Sequence, residues 1–555
     1  MAGHINSHFL SPGSTSTADE YAANPRFIEL QEELRCVLFA GVSSHDPNHP
    51  QASKKPVTTA VHAKIAQGHD DKSHDSHETW SLKSGLDSAR VNIPKIKLVR
   101  YLQNWIVECA PYLDKFDDER HFGIHVPIMA EQSPALLYAV LAFSARQIEL
   151  KALLEKCYDS LELYQQSILL LGPGLEARDP NMLVTACILA VLELMSGSSR
   201  NWRRHIEGCA TLFDFFGVTG FSGGLLQAVF WCYARMELCG AIISGGAEST
   251  VLPLSSWLPP RPLPPRPPPP PPPPSGFRVD PAHGHAHDMD AFARQTFYQH
   301  GRENTCMHAN WAVYLCAKVC DLIYRRTRTL ELQEPDASDP RPFDEQWTSL
   351  WQDLQLWLES RPQSMLPTTC TRRAGVDVSA HASAATTPSA ADQGDHGHHH
   401  DHEQDHDHDH DHGDNNSAHV FPSIFFPTLP AISSNQLYHT ACILMLETRP
   451  PNAAAAAAAT ASSARLTSPQ CSPIWHARRV CGISYTNPHK ASLINAIQPL
   501  YVAGRLLTHP TEQLQVARLF AIIDGTTGWG ALWRLRDLEA AWGYESGEML
   551  RRVNR

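Results

Sequence analysis

Between Pro259 and Pro274 the chain is interrupted only by Arg261, Leu263 and Arg266, and it closes on eight consecutive prolines. Each ring fixes φ and removes a backbone donor, so neither a helix nor a central strand can cross this stretch. It reads as a stiff polyproline II spacer that separates segments without packing between them. A second break runs from Arg361 to Ala418, where apolar periodicity fails again. Any fold must therefore be assembled from the pieces on either side of these tracts.

Those pieces are helical in pattern, with apolar residues three and four apart and repeated starts in which a cap residue precedes proline. Asn24-Pro25 opens a helix carrying Phe27, Ile28, Leu30, Leu34, Val37 and Leu38. Asn92, Ile93 and Pro94 lead into one with Ile96, Val99, Leu102, Trp105 and Ile106, expected to close near Pro111. Ser133-Pro134 and Asp179-Pro180 open two more, followed by Trp202 to Phe216 and Leu225 to Ile243. Helix returns from about Ala291 to Leu358, and again over Ser434 to Leu446 and Ser492 to Trp542, with the alanine tract Ala453 to Ala459 between. No strand series and no repeat of helical-solenoid length appears.

The expected class is all-α, an antiparallel bundle or irregular helical array with long disordered insertions. Its division is an N-terminal region 1–91 (one helix near 24–41, then a disordered loop), helical parts 92–256, 291–360 and 418–545, a polyproline linker 257–290, a His/Asp-rich insertion 361–417 and a tail 546–555.

With 43% hydrophobic residues in 555, there is apolar material for two or three domains' worth of core, which excludes a wholly disordered chain. The net charge of −12 has the wrong sign for a surface that embraces phosphates. Gly394 to Asp414 supplies eight acids and no base, and removing those eight leaves −4. Fourteen cysteines show no C-x2-C pair, and the opening MAGHINSHFL is too polar for a signal-peptide core, so reduced intracellular thiols are expected. The longest apolar run, Met182 to Leu192, is about half of a membrane span, and a soluble protein is expected.

Three constellations offer chemistry. From Gly397 to Gly413 imidazoles alternate with carboxylates, and His398, His399, His400, His402, His406, His408, His410 and His412 could chelate zinc, nickel or copper in many registers. The competing explanation is an expanded two-codon repeat in a solvated loop. Arg261, Pro264 and Pro267 fit R-x-x-P-x-x-P, a ligand pattern for Src-homology-3 domains, where the arginine meets an acidic pocket. A spacer accounts for the same composition. Cys306, His308, Cys316 and Cys320 form the tightest Cys/His group, but on a helical stripe rather than on the paired short loops a zinc site needs, which favours core cysteines. Phosphate loops, a G-x-S-x-G elbow and an H-E-x-x-H helix are absent, so no enzyme is expected. The doublets Arg203-Arg204, Arg325-Arg326 and Arg478-Arg479 read as solvated faces or ion-pair partners.

Several helical segments resemble the regulatory region of fungal zinc-cluster transcription factors. They are Phe116 to Pro127 with Ser133 to Arg146, then Trp202 to Phe213, Phe230 to Gly245 and Asn435 to Pro450. The most specific lie at the C-terminus: Ser472 to Ser484, Asn495 to Glu512 and Thr526 to Gly543. Read from the residues alone, Trp475, Trp529, Trp533 and Trp542 are packing aromatics, and Arg478 and Arg479 serve helix ends or acidic partners. That family usually carries an N-terminal six-cysteine cluster in which six thiolates share two zinc ions, whereas Cys36 stands alone before residue 100. Zinc is expected only if such a cluster exists, and direct DNA binding is not expected of this chain alone. A truncated gene model, an isoform and genuine loss stay equally open.

The resemblance implies a nuclear regulator of RNA polymerase II genes that contacts other transcription regulators or coregulators, pairs with a relative as a dimer, and senses an inducer between helices. No residue is assigned to that inducer. The alternative is a cytosolic metal-buffering or scaffold protein that uses the His/Asp tract and the polyproline segment.

Overall fold

The computed structural model describes residues 21–43, 91–151, 158–176, 181–196, 202–261, 282–333, 338–370, 420–451 and 469–555, with Asp179 and Asp336. The His/Asp tract, the run 262–281, the alanine tract and the loop at 44–90 lie outside the described residues.

In the first half, helices α1 (Pro25–Ser43), α2 (Lys95–Asn104), α3 (Ala110–Leu113), α4 (Val126–Ala130), α5 (Pro134–Lys151), α6 (Asp159–Glu176), α7 (Asn181–Ser196), α8 (Trp202–Phe216) and α9 (Gly224–Ser244) follow one another. The second half adds α10 (Ala282–Gly301), α11 (Thr305–Leu332), α12 (Phe343–Glu359), α13 (Leu429–Glu447), α14 (Pro473–Thr486), α15 (Lys490–Gly504), α16 (Pro510–Thr527), α17 (Leu532–Trp542) and α18 (Glu548–Val553). Two-residue strands β1 (Thr369–Cys370) and β2 (Ile424–Phe425) pair antiparallel, Thr369 opposite Phe425, and bring together the two chain ends flanking residues 371–419. Among the described residues the fold is all-α apart from this ladder.

Two kinds of helix build it. In α5, α7, α9 and α13 apolar and small residues occupy every side for most of the length, and most residues are buried. A helix without a polar face can lie only where neighbours cover it all round. By length and composition α9 would also serve as a membrane span, yet here it is a core helix, packed against α7, α8 and α11. Helices α2, α8 and α12 have one apolar stripe each and cover the outside, as α12 does with Trp347, Leu350, Leu354 and Trp357 turned inward.

A single core cluster reaches from Tyr21 to Met549. Segments before and after the proline run pack directly on one another, Trp231 against Phe297 and Trp257 against Tyr314, with ring centroids 6.0 and 6.2 Å apart. The expectation that the proline run keeps its flanks from packing is thus corrected: its ends are joined because α9 and α11 share one apolar face.

Caps place the ends. Asn24 Oδ1 takes the Arg26 N–H, Asp179 Oδ1 that of Asn181, Asn304 Oδ1 that of Met307 and Thr428 Oγ1 that of Ala431. The helix expected to close near Pro111 instead continues to Leu113. A π turn, Trp105–Cys109, widens the ladder just ahead, so Pro111 falls in the first turn of α3, where its missing N–H costs nothing. Buried indoles donate across elements: Trp105 to Phe122 O, Trp231 to Gly220 O and Trp347 to Met445 O.

Gly482 of α14 packs so tightly on the loop before β2 that a Cβ there would stand 2.1 Å from the Pro422 carbonyl oxygen, while one on Gly525 of α16 would meet nothing within 4 Å. Gly482→Ala is expected to destabilise by about 2–3 kcal/mol, and Gly525→Ala to stabilise by about 0.5–1 kcal/mol. Denaturant unfolding of the two variants checks the pair; equal midpoints would refute the close approach.

Candidate functional site

The helices converge on a cavity of about 650 Å³ between the first and last parts of the chain. Its walls follow helical spacing. On α9 they are Cys232, Arg235, Met236, Cys239 and Ile242, on α7 Val191, Leu194 and Met195, and on α15 Ile494, Ile497 and Gln498. Tyr112, Leu113 and Lys115 close one side, and Asp524, Trp529 and Trp533 another.

Lys115 is the unusual member. It sits on the 3-10 turn Asp114–Phe116 and is only 7% exposed. Among the described residues it has neither a carboxylate nor a hydrogen-bond acceptor as partner. Burial, reinforced by the charge of Arg235, pulls its ammonium down to about 7. The turn itself is held rigidly: the Asp114 carboxylate accepts the N–H groups of Phe122 and Gly123, each at 2.8 Å, and burial pushes that carboxyl up to about 7. Arg235 donates through Nη2 to the Leu113 carbonyl at 2.6 Å and lies 5.3 Å from the Phe116 ring centre.

Across the cavity, Asp524 Oδ1 accepts from Ala531 N at 2.8 Å and Leu532 N at 3.4 Å, which caps the start of α17. Burial raises its carboxyl. Gln498 Oε1 accepts from Arg534 Nε at 2.8 Å, and the Arg534 guanidinium stacks over Tyr501. Chemically, these walls can enclose an apolar body and present positive charge to it.

Sequence-level candidates fall elsewhere. His398, His399, His400, His402, His406, His408, His410, His412, Pro264 and Pro267 are outside the described residues. Arg261 is described, and its guanidinium reaches Asp288 Oδ2 at 3.0 Å and the Asp288 carbonyl at 2.7 Å, so it is engaged within its own chain. Cys306, Cys316 and Cys320 are buried in α11. His308 Nε2 donates to the Trp357 carbonyl while the Trp357 indole donates to the His308 carbonyl, and burial lowers its imidazole to about 4. Among the described residues no group of three or more His, Cys, Asp or Glu could hold a metal ion. Arg478 meets Glu512 at 2.8 Å, Arg479 covers the Trp475 ring, and Arg325 joins Asp321 and Asp336. Trp542 donates to the Gly504 carbonyl at 2.9 Å; Trp529 packs on the core, its ring centre 6.5 Å from that of Phe143, as expected, and with Trp533 it also lines the cavity.

One buried pair escaped sequence reading. Arg479 Nε donates to His439 Nε2, His439 Nδ1 lies 2.8 Å from His476 Nδ1, and His476 Nε2 donates to the Gln470 carbonyl. Protons pointing one way along this chain keep both imidazoles neutral, and burial lowers both, His476 to about 4.

Because Asp524 secures α17 by two backbone hydrogen bonds, Asp524→Ala is expected to cost about 1–2 kcal/mol, and Asp524→Asn, which keeps the acceptor, less than half of that. Thermal unfolding of both variants distinguishes a capping role from a charge role; equal losses would reject capping.

Compared with known proteins, residues 100–543 match the model of the fungal specific transcription factor domain. The transcription activator AMTR1 of Alternaria alternata is 25% identical over 200 residues, a stretch equal to 36% of this chain and 22% of that activator's length. No solved structure matches. Since the matched region takes in α3 to α17 and with them nearly all of the cavity wall, the chain belongs to the fungal specific transcription factor domain family.

Proposed function

We propose that this chain regulates transcription of RNA polymerase II genes in the nucleus, with occupancy of the central cavity as its input and contacts to other transcription regulators or coregulators as its output. The observation that carries the reading is where the cavity lies. It opens between Tyr112, Leu113 and Lys115 with α9 on one side and α15 to α17 on the other, so a molecule bound there touches both ends of the domain at once. A ligand that favours one arrangement of those ends shifts their population and thereby the surface offered to a partner. The family and the similarity to a transcription activator support the regulatory half of this reading.

The test is the full chain fused to an unrelated DNA-binding domain upstream of a reporter gene in a fungal host. The fusion is expected to change reporter output at least severalfold and to change it further with growth condition. Cys239→Trp, which projects an indole into the cavity from α9, is expected to leave the protein folded and nuclear but to abolish the dependence on condition. Output equal to that of the DNA-binding domain alone would overturn the regulatory reading. An unchanged response in the Cys239→Trp fusion would overturn the role of the cavity.

A further inference from the structure

The cavity also carries information about what it takes. Its walls are chiefly aliphatic and aromatic, yet Lys115 presents an ammonium there with 7% of its surface exposed. After burial, what lowers that ammonium's pKa is the like-signed guanidinium of Arg235, which spends one nitrogen on the Leu113 carbonyl. Among the described residues neither cation has a carboxylate partner. The Asp114 carboxylate, adjacent in sequence, is committed to the N–H groups of Phe122 and Gly123. A buried charge without a counterion is costly to hold and is ordinarily paired. The described residues thus leave the place of an anionic group beside these two cations unfilled.

Resting on the reading of the cavity as a ligand site, we infer that its occupant is an organic monocarboxylate with an apolar body, the carboxylate seated between Lys115 and Arg235 and the body against Met195, Met236, Trp529 and Trp533. The volume excludes a bare inorganic anion as the natural fit, because about 650 Å³ of largely apolar space would stay unfilled. Two cations, one of them easily neutralised, suit a singly charged head better than a phosphate dianion. The rigid Asp114–Phe116 turn and the Arg235 to Leu113 bond hold the two cations in place before the ligand arrives, which spares the cost of ordering them.

Decanoate, decanol and decyltrimethylammonium, each below its micelle concentration, are the probes for titration calorimetry on the full chain at pH 6.5. Decanoate is expected to bind about tenfold or more tightly than decanol, and the cationic probe not at all. Lys115→Met removes an unpaired buried charge, so the variant is expected to fold at least as well as the parent. It should lose the preference for decanoate while keeping decanol binding. Raising the pH from 6.5 to 8.5 should weaken decanoate binding to the parent, since binding then requires proton uptake by Lys115. The other ionisable groups facing the cavity are Arg235, Arg536, Asp524, Tyr112, Cys232 and Cys239, and the Lys115→Met profile separates their share. If decanol binds as tightly as decanoate, or the preference survives in Lys115→Met, the carboxylate assignment falls while ligand binding stands. If no probe binds, the ligand-site reading falls with it, and the transcriptional role is left to the tethering experiment.

Discussion

A buried amide joins the ends of this domain. Gln147 of α5 takes a hydrogen bond from Asn104 on one side and donates to the Thr527 carbonyl on the other at 2.9 Å, linking residues 380 positions apart. Beside it Glu108 receives Lys151 and Lys490, and although burial raises its carboxyl, their hydrogen bonds and charges hold it below the usual range. Gly528 ends α16 in the left-handed region directly against the Gln147 carbonyl, where a Cβ would come within 3.0 Å. The last helices are thereby held against α3 and α5. The cavity, with Lys115 on one wall and Asp524 on the opposite one, is a consequence of that closure.

This closure is compatible with a preserved hollow because the surrounding helices are apolar on all sides. An amphipathic helix has one face to bury and leaves no apolar surface over. Helices such as α7 and α9 bury one side in the core and still have Val191, Cys232 and Met236 to offer to the cavity. Within so apolar a setting charged groups act on one another strongly, and burial together with the Arg235 guanidinium draws the Lys115 ammonium down to about 7.

Much of the fold was legible in the chain. Asn24-Pro25, Ser133-Pro134 and Asp179-Pro180 announced helix starts that the structure confirms, since cap and proline act locally. Of the apolar residues read on α1, Phe27, Leu30, Leu34 and Leu38 are buried, while Ile28 is exposed. The reading stopped at Pro111, because a π turn one helical turn upstream is a response to packing around Trp105 and not to local propensity. It also treated the proline run as a divider, whereas the rings of Trp231, Trp257, Phe297 and Tyr314 close across it.

The site was far less legible. Lys115 sits in a polar-looking stretch, FDDERHFG following it, and no periodicity marks it as buried. That Trp529, which packs on the core as read, and Trp533 also border a cavity was not legible, since an aromatic beside a cavity and one within a core have the same spacing. By itself the sequence determined the helical class, several helix starts and family membership, because propensity, capping and apolar period are properties of neighbours along the chain. The tertiary structure alone decided that one side of α9 faces a hollow, that Lys115 and Arg235 share it with Asp524 on the opposite wall, and that Arg261 turns to its own Asp288. These depend on which residues meet across hundreds of positions, and no local pattern encodes such meetings.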